Sequence, residues 1–290
     1  MILPMNPPVR RIGLVLKRQD PRIPGIVSDV ISLLQSCGAE VCIDRGSGFD
    51  GQFPCPALDP VDLAGAVDVV AVFGGDGTFL HAARIVAASG IPILGINLGT
   101  LGFLAEVNPP DLRSALRNLL AGEYNLEERM CLDVEALRAG QSLAKYTALN
   151  DAVINKGAIA RIIELEVTVN GQVVTVTRAD GLIVSTPTGS TAYSLSAGGP
   201  ILYPTLGALI ITPICPHTLT NRPVVVPDQA QVEVSLLRGA DVMLTVDGQV
   251  GIALEPLDRL AMRKAAHSIR LVQPAGSGFF SLLRAKLKWG

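Results

Sequence analysis

A strand that must stop at glycine and restart as a helix constrains this chain more than any other feature. Residues 69–73 (Val-Val-Ala-Val-Phe) are an apolar run of the kind buried on both faces of a parallel sheet. The run ends at Gly74, Gly75, Asp76, Gly77 and Thr78, and helical spacing follows to about residue 88. Strand, glycine turn and helix together present backbone N–H groups and a helix N-terminus, an arrangement that suits phosphate. A carboxylate inside such a turn repels an anion, so Asp76 needs its own account. Three readings are open. Asp76 is a base for an attacking hydroxyl, or it holds a metal ion against phosphate oxygens, or it caps the helix in a tight turn that needs φ > 0.

A second transition lies in residues 180–200. A short buried strand, residues 182–184, runs into a turn crowded with hydroxyls, from Ser185 and Thr186 through Ser196 to Gly198-Gly199-Pro200. Hydroxyl side chains donate to phosphate or ribose and accept from base edges, and small residues let a flat ligand come close. A solvated connection is the plainer reading of such a loop. Tyr193 and Leu195, interleaved among the hydroxyls, favour a binding wall.

The pattern changes style near residue 125. Before it, strands (residues 11–17, 40–43, 67–73 and 91–95) alternate with helices (26–36, from 78, and 112–120, the last introduced by Pro109-Pro110 and capped by Asp111). That alternation predicts a mostly parallel sheet covered on both faces, with the Asp76 turn at a strand's carboxyl end. After Tyr124 nearly everything reads as strand, with Asn170-Gly171 and Asp247-Gly248 as tight turns, which predicts a β-sandwich. The expected fold is therefore α/β plus all-β, a Rossmann-like N-terminal domain followed by a sandwich. Residues 1–124, 125–275 and 276–290 are the expected α/β domain, sandwich and terminal helical segment.

Composition narrows the partners. With 290 residues the chain is long enough for two domains, and its net charge of −2 provides no broad basic surface for nucleic acid or acidic membranes. The five cysteines (Cys37, Cys42, Cys55, Cys131, Cys215) lack Cys-x-x-Cys spacing and read as reduced core thiols. Pro4, Pro7, Pro8, Arg10 and Arg11 stand where a signal peptide needs an apolar core, and no apolar run approaches membrane-spanning length. A soluble, cytoplasmic protein is expected.

Gly74-Gly75-Asp76-Gly77, the Asn150-Asp151 pair, residues 186–200 and Val246-Asp247-Gly248-Gln249 together resemble the NAD kinase family, in order and spacing, across roughly residues 10–275. The first motif is also shared with diacylglycerol, sphingosine and phosphofructokinases, whereas the long hydroxyl-rich run is far more specific. The resemblance implies transfer of the γ-phosphoryl group of ATP to the 2′-hydroxyl of the adenosine ribose of NAD, giving NADP, with a divalent ion such as Mg²⁺. It implies Asp76 as the base and Gly74, Gly75 and Gly77 as the phosphate-side backbone. Asn150 and Asp151 match the pair that contacts the dinucleotide, with Asp151 one methylene shorter than the family's usual Glu.

The binding run corresponds to Thr191, Ala192, Tyr193, Ser194, Leu195 and Ser196, with Tyr193 placed near the adenine. Arg161, Arg178 and Asp180 align with contacts that in part reach a neighbouring subunit's ligand, which implies a homodimer or homotetramer. His81, one turn into the helix after Gly77, reads either as facing the nicotinamide side or as a plain helix-surface histidine, while Gln249 matches a family contact by motif position and Cys215 a family position lining the base pocket. The metal's protein ligands stay unassigned. Two other classes remain open: a lipid or sugar kinase built on the same glycine-aspartate turn, and a dinucleotide sensor without turnover.

Overall fold

The computed structural model describes residues 6–99, 102–157, 161–218, 220–273 and 278–289. The chain divides into two units, residues 1–128 with 269–290, and residues 129–268.

In the first unit the order is β1 (Arg11–Leu16), α1 (Ile23–Ser36), β2 (Glu40–Asp44), β3 (Ala57–Leu58), α2 (Pro60–Ala66), β4 (Val69–Gly74), α3 (Asp76–Val86), β5 (Ile93–Asn97) and α4 (Leu112–Ala121). The strands are parallel and lie in the order β3-β2-β1-β4-β5. The chain builds outward from β1 to β3, then returns to place β4 on the other side of β1. That reversal is a topological switch point, and ligands of open α/β sheets bind beyond the carboxyl ends of the strands there. β4 ends at Gly74, so the Asp76 turn occupies that position by topology alone. β4 is buried along its whole length, as a central parallel strand must be.

The helices follow from apolar spacing. α1 buries Ile23, Val27, Val30, Ile31 and Leu34 on one stripe. It begins three residues before the expected start at residue 26, because Pro24 sits in the first turn, where a missing N–H costs nothing. α4 is entered through a 3₁₀ turn, Pro109–Asp111, and Asp111 makes no side-chain capping bond, contrary to expectation. The short pieces β3 and α2 carry too few periodic positions to be read from sequence. Near the C-terminus, α6 (Phe279–Leu287) buries Leu282 and Leu283. The expected boundary at residues 275 and 276 lies outside the described residues.

The second unit holds β6 (Asn125–Arg138, which begins in the first unit), β7 (Gln141–Ala148), β8 (Asp151–Lys156), β9 (Ile163–Val169), β10 (Gln172–Ala179), β11 (Gly181–Ser185), the one-turn helix α5 (Tyr193–Ser196), β12 (Ala208–Ile214), β13 (Val224–Pro227), β14 (Val232–Arg238), β15 (Val242–Val246), β16 (Val250–Leu254) and most of β17 (Arg259–Gln273). One sheet runs β13-β12-β11-β8-β15-β16, and the other carries β10-β9-β14-β17 with β6 and β7. Ile154, Leu182, Leu209 and Leu244 of the first sheet share one core with Leu165, Val167, Val234 and Leu260 of the second. Two antiparallel sheets closed over a common core make the sandwich. Asn170 (φ 51°) and Gly171 (φ 76°) turn β9 into β10 with Val169 opposite Gln172, the register that a two-residue primed turn imposes.

Candidate active site

Each unit gathers its own cluster of the residues singled out above. In the first, α3 starts at Asp76 with Gly75 as N-cap, two residues earlier than the helical spacing suggests. None of Gly74, Gly75 and Gly77 has a positive φ, and Asp76 makes no capping bond, so the tight-turn reading is set aside. Gly74 is required internally, because a Cβ there would collide with the Thr78 hydroxyl, while Gly75 and Gly77 border open space. No neighbouring side chain crowds the backbone at those two positions.

The Asp76 carboxylate turns instead to the segment after β5. Phe103 N–H donates to Oδ2 at 2.9 Å, and Leu104 and Ala105 N–H donate to Oδ1 at 3.0 and 3.3 Å. The segment is also tied to the turn by Leu98 N–H, which donates to Gly74 O at 3.1 Å. Gly102 has no room for a side chain, since its Cβ would strike Asp76 Oδ1. Each carboxylate oxygen has two acceptor sites. Oδ2 spends one of them on Phe103, which leaves the other for a hydroxyl. Lys286 of α6 lies 5.5 Å from the centre of the Phe103 ring.

His81, one turn further along α3, brings Nε2 to 3.6 Å from Asp44 Oδ2. Asp44 is fully buried at the end of β2. Burial pushes its carboxyl up, but bonds from His81, Gly46 N–H and the Ser47 hydroxyl outweigh burial and hold it below the usual carboxylate range. His81 is thus oriented by a charged partner that sequence gave no means of pairing with it.

In the second unit, residues 149–151 join β7 to β8 and are braced from two sides. Thr186 Oγ1 donates to Leu149 O at 2.6 Å and Thr186 N–H to Asn150 O at 2.9 Å, while Gly189 passes so close to Asn150 O that a Cβ would overlap it. From the other side Asp247 Oδ1 accepts from Asn150 N–H (2.7 Å) and Asp151 N–H (3.1 Å), and Oδ2 accepts from Leu149 N–H (2.9 Å). Asp151 is buried among these groups. Desolvation first, and the Asp247 charge second, push its carboxyl up to about 7.

The hydroxyl-rich run forms a 3₁₀ turn, Gly189–Thr191, and then α5. Tyr193 is 42% exposed, which leaves its ring free to stack. Ser194 is fully buried, and its hydroxyl is bonded to Thr212 Oγ1 at 3.0 Å, so its side chain serves the fold. Thr191, Ala192 and Leu195 are half-buried and Ser196 is exposed. The Thr188 hydroxyl, missed by sequence reasoning, is buried with no hydrogen-bond partner among the described residues.

Arg161 and Arg178 are exposed; Asp180 lies 3.6 Å from Lys156 Nζ. Gln249 follows the Asp247-Gly248 turn and closes it through its N–H to Val246 O at 3.0 Å. Cys215 is exposed at φ 45° just after β12, and Cys37 is exposed as well, which corrects the expectation that every thiol is in a core. Burial pushes the Cys42 thiol up to about 11. No group of three His, Cys, Asp or Glu side chains is placed to hold a metal among the described residues. No helix among them is long and apolar enough to cross a membrane.

Two family profiles match the chain in tandem. Residues 59–124 match the profile of the ATP-NAD kinase N-terminal domain, and residues 149–274 that of the ATP-NAD kinase C-terminal domain. NAD kinases of Geobacter sulfurreducens and Syntrophotalea carbinolica are 46% and 45% identical over 287 and 283 residues, covering 97% of this chain and 99% of theirs. Among solved structures, yeast NADH kinase complexed with NADH is similar at a TM-score of 0.91 and 25% identity, over 98% of this chain and 89% of that one. An Archaeoglobus fulgidus NAD kinase in complex with ATP shares the fold at a TM-score of 0.76 and 24% identity, over 97% of this chain and all of that one.

Proposed function

The chain belongs to the NAD kinase family, and we propose that Asp76 is the base in its phosphoryl transfer. The enzyme moves the γ-phosphoryl group of ATP to the 2′-hydroxyl of the adenosine ribose of NAD, giving ADP and NADP. With the family established, the lipid-kinase and sugar-kinase readings fall away. A ribose hydroxyl is a weak nucleophile, and a base within hydrogen-bond reach contributes about 10²–10⁴ in rate. In this reading Asp76 Oδ2 accepts the 2′-hydroxyl proton as that oxygen bonds to phosphorus; the phosphorus–oxygen bond to ADP breaks, and the proton passes to solvent.

The observation that carries the proposal is the grip on Asp76. Three amides fix a carboxylate at the carboxyl end of β4, at the switch point of a parallel sheet, with an acceptor position left on Oδ2. Fixed orientation before reaction is what a base needs. The uncrowded space beside Gly75 and Gly77 supports their assignment to the phosphates, and the grip of Asp44 on His81 supports the assignment of that side chain to the dinucleotide.

The second unit is assigned the dinucleotide's polar groups. Asn150 and Asp151 contact the adenosine, Asp151 with a carboxyl that carries a proton near neutral pH and can donate it. Tyr193 stacks on the base, with Thr191, Ala192, Leu195, Ser196, Cys215 and Gln249 beside it. Ser194 contributes through backbone, since its hydroxyl is committed to Thr212. Arg161, Arg178 and Asp180 are assigned to a ligand shared between subunits of a homodimer or homotetramer in the cytoplasm.

A divalent ion such as Mg²⁺ would supply charge neutralisation on the donor phosphates. Such an ion would keep several waters and be held largely by the phosphates themselves, since the acceptor positions of Asp76 are taken by three amides and, in this reading, the ribose hydroxyl. A coupled assay tests the base directly, with ATP, Mg²⁺ and NAD, and NADP read by an NADP-specific dehydrogenase. Asp76→Asn should lose about 10²-fold or more in kcat while calorimetry shows NAD still bound. Retained turnover would exclude Asp76 as the base.

A further inference from the structure

The segment that carries Asn150 and Asp151 presents three successive amides, Leu149, Asn150 and Asp151, to one side. Successive amides aimed together form a concavity that takes an anion. Here the anion is supplied by the chain itself, the Asp247 carboxylate, from about a hundred residues away in sequence. Asp247 is 7% exposed and sits at φ 52° beside Gly248 at φ 63°, in the turn between β15 and β16. Its own N–H returns a bond to Asp151 O at 2.9 Å. Four hydrogen bonds thus join one side chain and its backbone to three residues.

We infer that Asp247 is a positioning residue for dinucleotide recognition: it fixes the backbone of residues 149–151 so that the Asn150 and Asp151 side chains stand ready before the ligand arrives. The inference rests on the reading that this pair contacts the dinucleotide. Thr186 and Gly189 hold the carbonyl side of the same segment, and Asp247 holds the amide side. Removing either grip frees side chains that must otherwise be ordered at the moment of binding, and ordering costs affinity. The electrostatic consequence agrees with the geometry. Burial first, and the Asp247 charge beside it second, disfavour a charge on Asp151 and favour a proton there.

The test compares Asp247→Asn with Asn150→Ala in the full-length enzyme. Asparagine keeps the size and tolerates the left-handed backbone. Its amide nitrogen faces an N–H donor, so at least one of the three amide bonds is lost. Loss of a bond to a charged group is worth about tenfold or more in an equilibrium. The KM for NAD should therefore rise about tenfold in Asp247→Asn, the KM for ATP should stay within about twofold, and the pH at which the KM for NAD changes should fall as the neighbouring charge is removed.

A lower melting temperature with an unchanged KM for NAD and an unchanged pH profile would make Asp247 merely structural and overturn the inference. If Asn150→Ala leaves the KM for NAD unchanged, it is the underlying reading of the pair that fails. If Asn150→Ala raises it and Asp247→Asn does not, the inference alone fails. A measurement on the unaltered protein stands beside the variants and decides the matter should Asp247→Asn not fold. Amide hydrogen exchange at residues 149–151 should be slow without NAD, and fast exchange that slows only when NAD is added would overturn pre-positioning.

Discussion

The two clusters use the same three-amide grip in opposite senses. In the first unit the carboxylate proposed to do chemistry, Asp76, is the guest, and residues 103–105 are the host. In the second, the residues proposed to touch ligand are the host, and the guest is Asp247. A reacting oxygen must keep a free acceptor position, so the first grip leaves one on Oδ2. A recognition pair must keep its side chains free, so the second grip takes only backbone. The difference shows that the grip itself is neutral with respect to function. What decides is which partner is left with unspent valence toward solvent.

The severest way to break this symmetry is at Gly102. Alanine there drives a methyl group against Asp76 Oδ1 while leaving the aspartate itself unsubstituted. Gly102→Ala should lose about 10²-fold in kcat, as though the base were misplaced, with the KM for NAD little changed in steady-state assays. A kcat near that of the parent would mean that the segment gives way and the first grip is not needed.

Protons provide an intermediate test. Asp151 keeps its proton to about pH 7 when folded, whereas an unfolded aspartate releases it near pH 4. Below about pH 4 both states are protonated and this group's contribution to stability is fully present. As pH climbs, the unfolded chain gains by releasing a proton that the folded chain retains, and the loss is complete once pH passes about 7. Urea unfolding at pH 5 and pH 8 should show the parent losing on the order of 2 kcal/mol more than Asp151→Asn over that span. Equal losses would mean that Asp151 is charged when folded and that the second grip exerts no electrostatic pressure.

The smallest effect expected is at Tyr193, outside both grips. Tyr193→Ala should weaken NAD binding about tenfold by calorimetry, the worth of one stacked ring, and slow the chemical step less. An unchanged affinity would remove the hydroxyl-rich run from the pocket wall.

Much of the fold could be read from local pattern, and much of the site could not. The β4 strand, the Asp76 turn and the β9–β10 hairpin each announce themselves within ten residues, through apolar runs, glycine and period-two alternation. The tandem of α/β and all-β architecture followed from them. The partners of the site residues did not. Asp76 meets residues 27 to 29 positions away, Asp247 meets residues 96 to 98 positions away, and His81 meets Asp44. Such contacts are made by tertiary folding and leave no periodic trace. The motif containing Asp247 was visible as a turn, but its carboxylate had no visible destination. Gly102 was indistinguishable from any loop glycine until the Asp76 oxygen appeared beside it.

Asp247 also carries a lesson about how this sequence can drift. Its backbone lies in the left-handed region, where most L-residues are penalised by about 1–2 kcal/mol and short polar ones least. Its side chain must also bear a negative charge at short reach. Asparagine meets the first demand and fails the second; glutamate has the charge, but its longer, less tolerant side chain fits the backbone badly. No single replacement satisfies both, so position 247 has no neutral neighbour in sequence space. A lineage could leave it only by remodelling the β15–β16 turn and the 149–151 segment together.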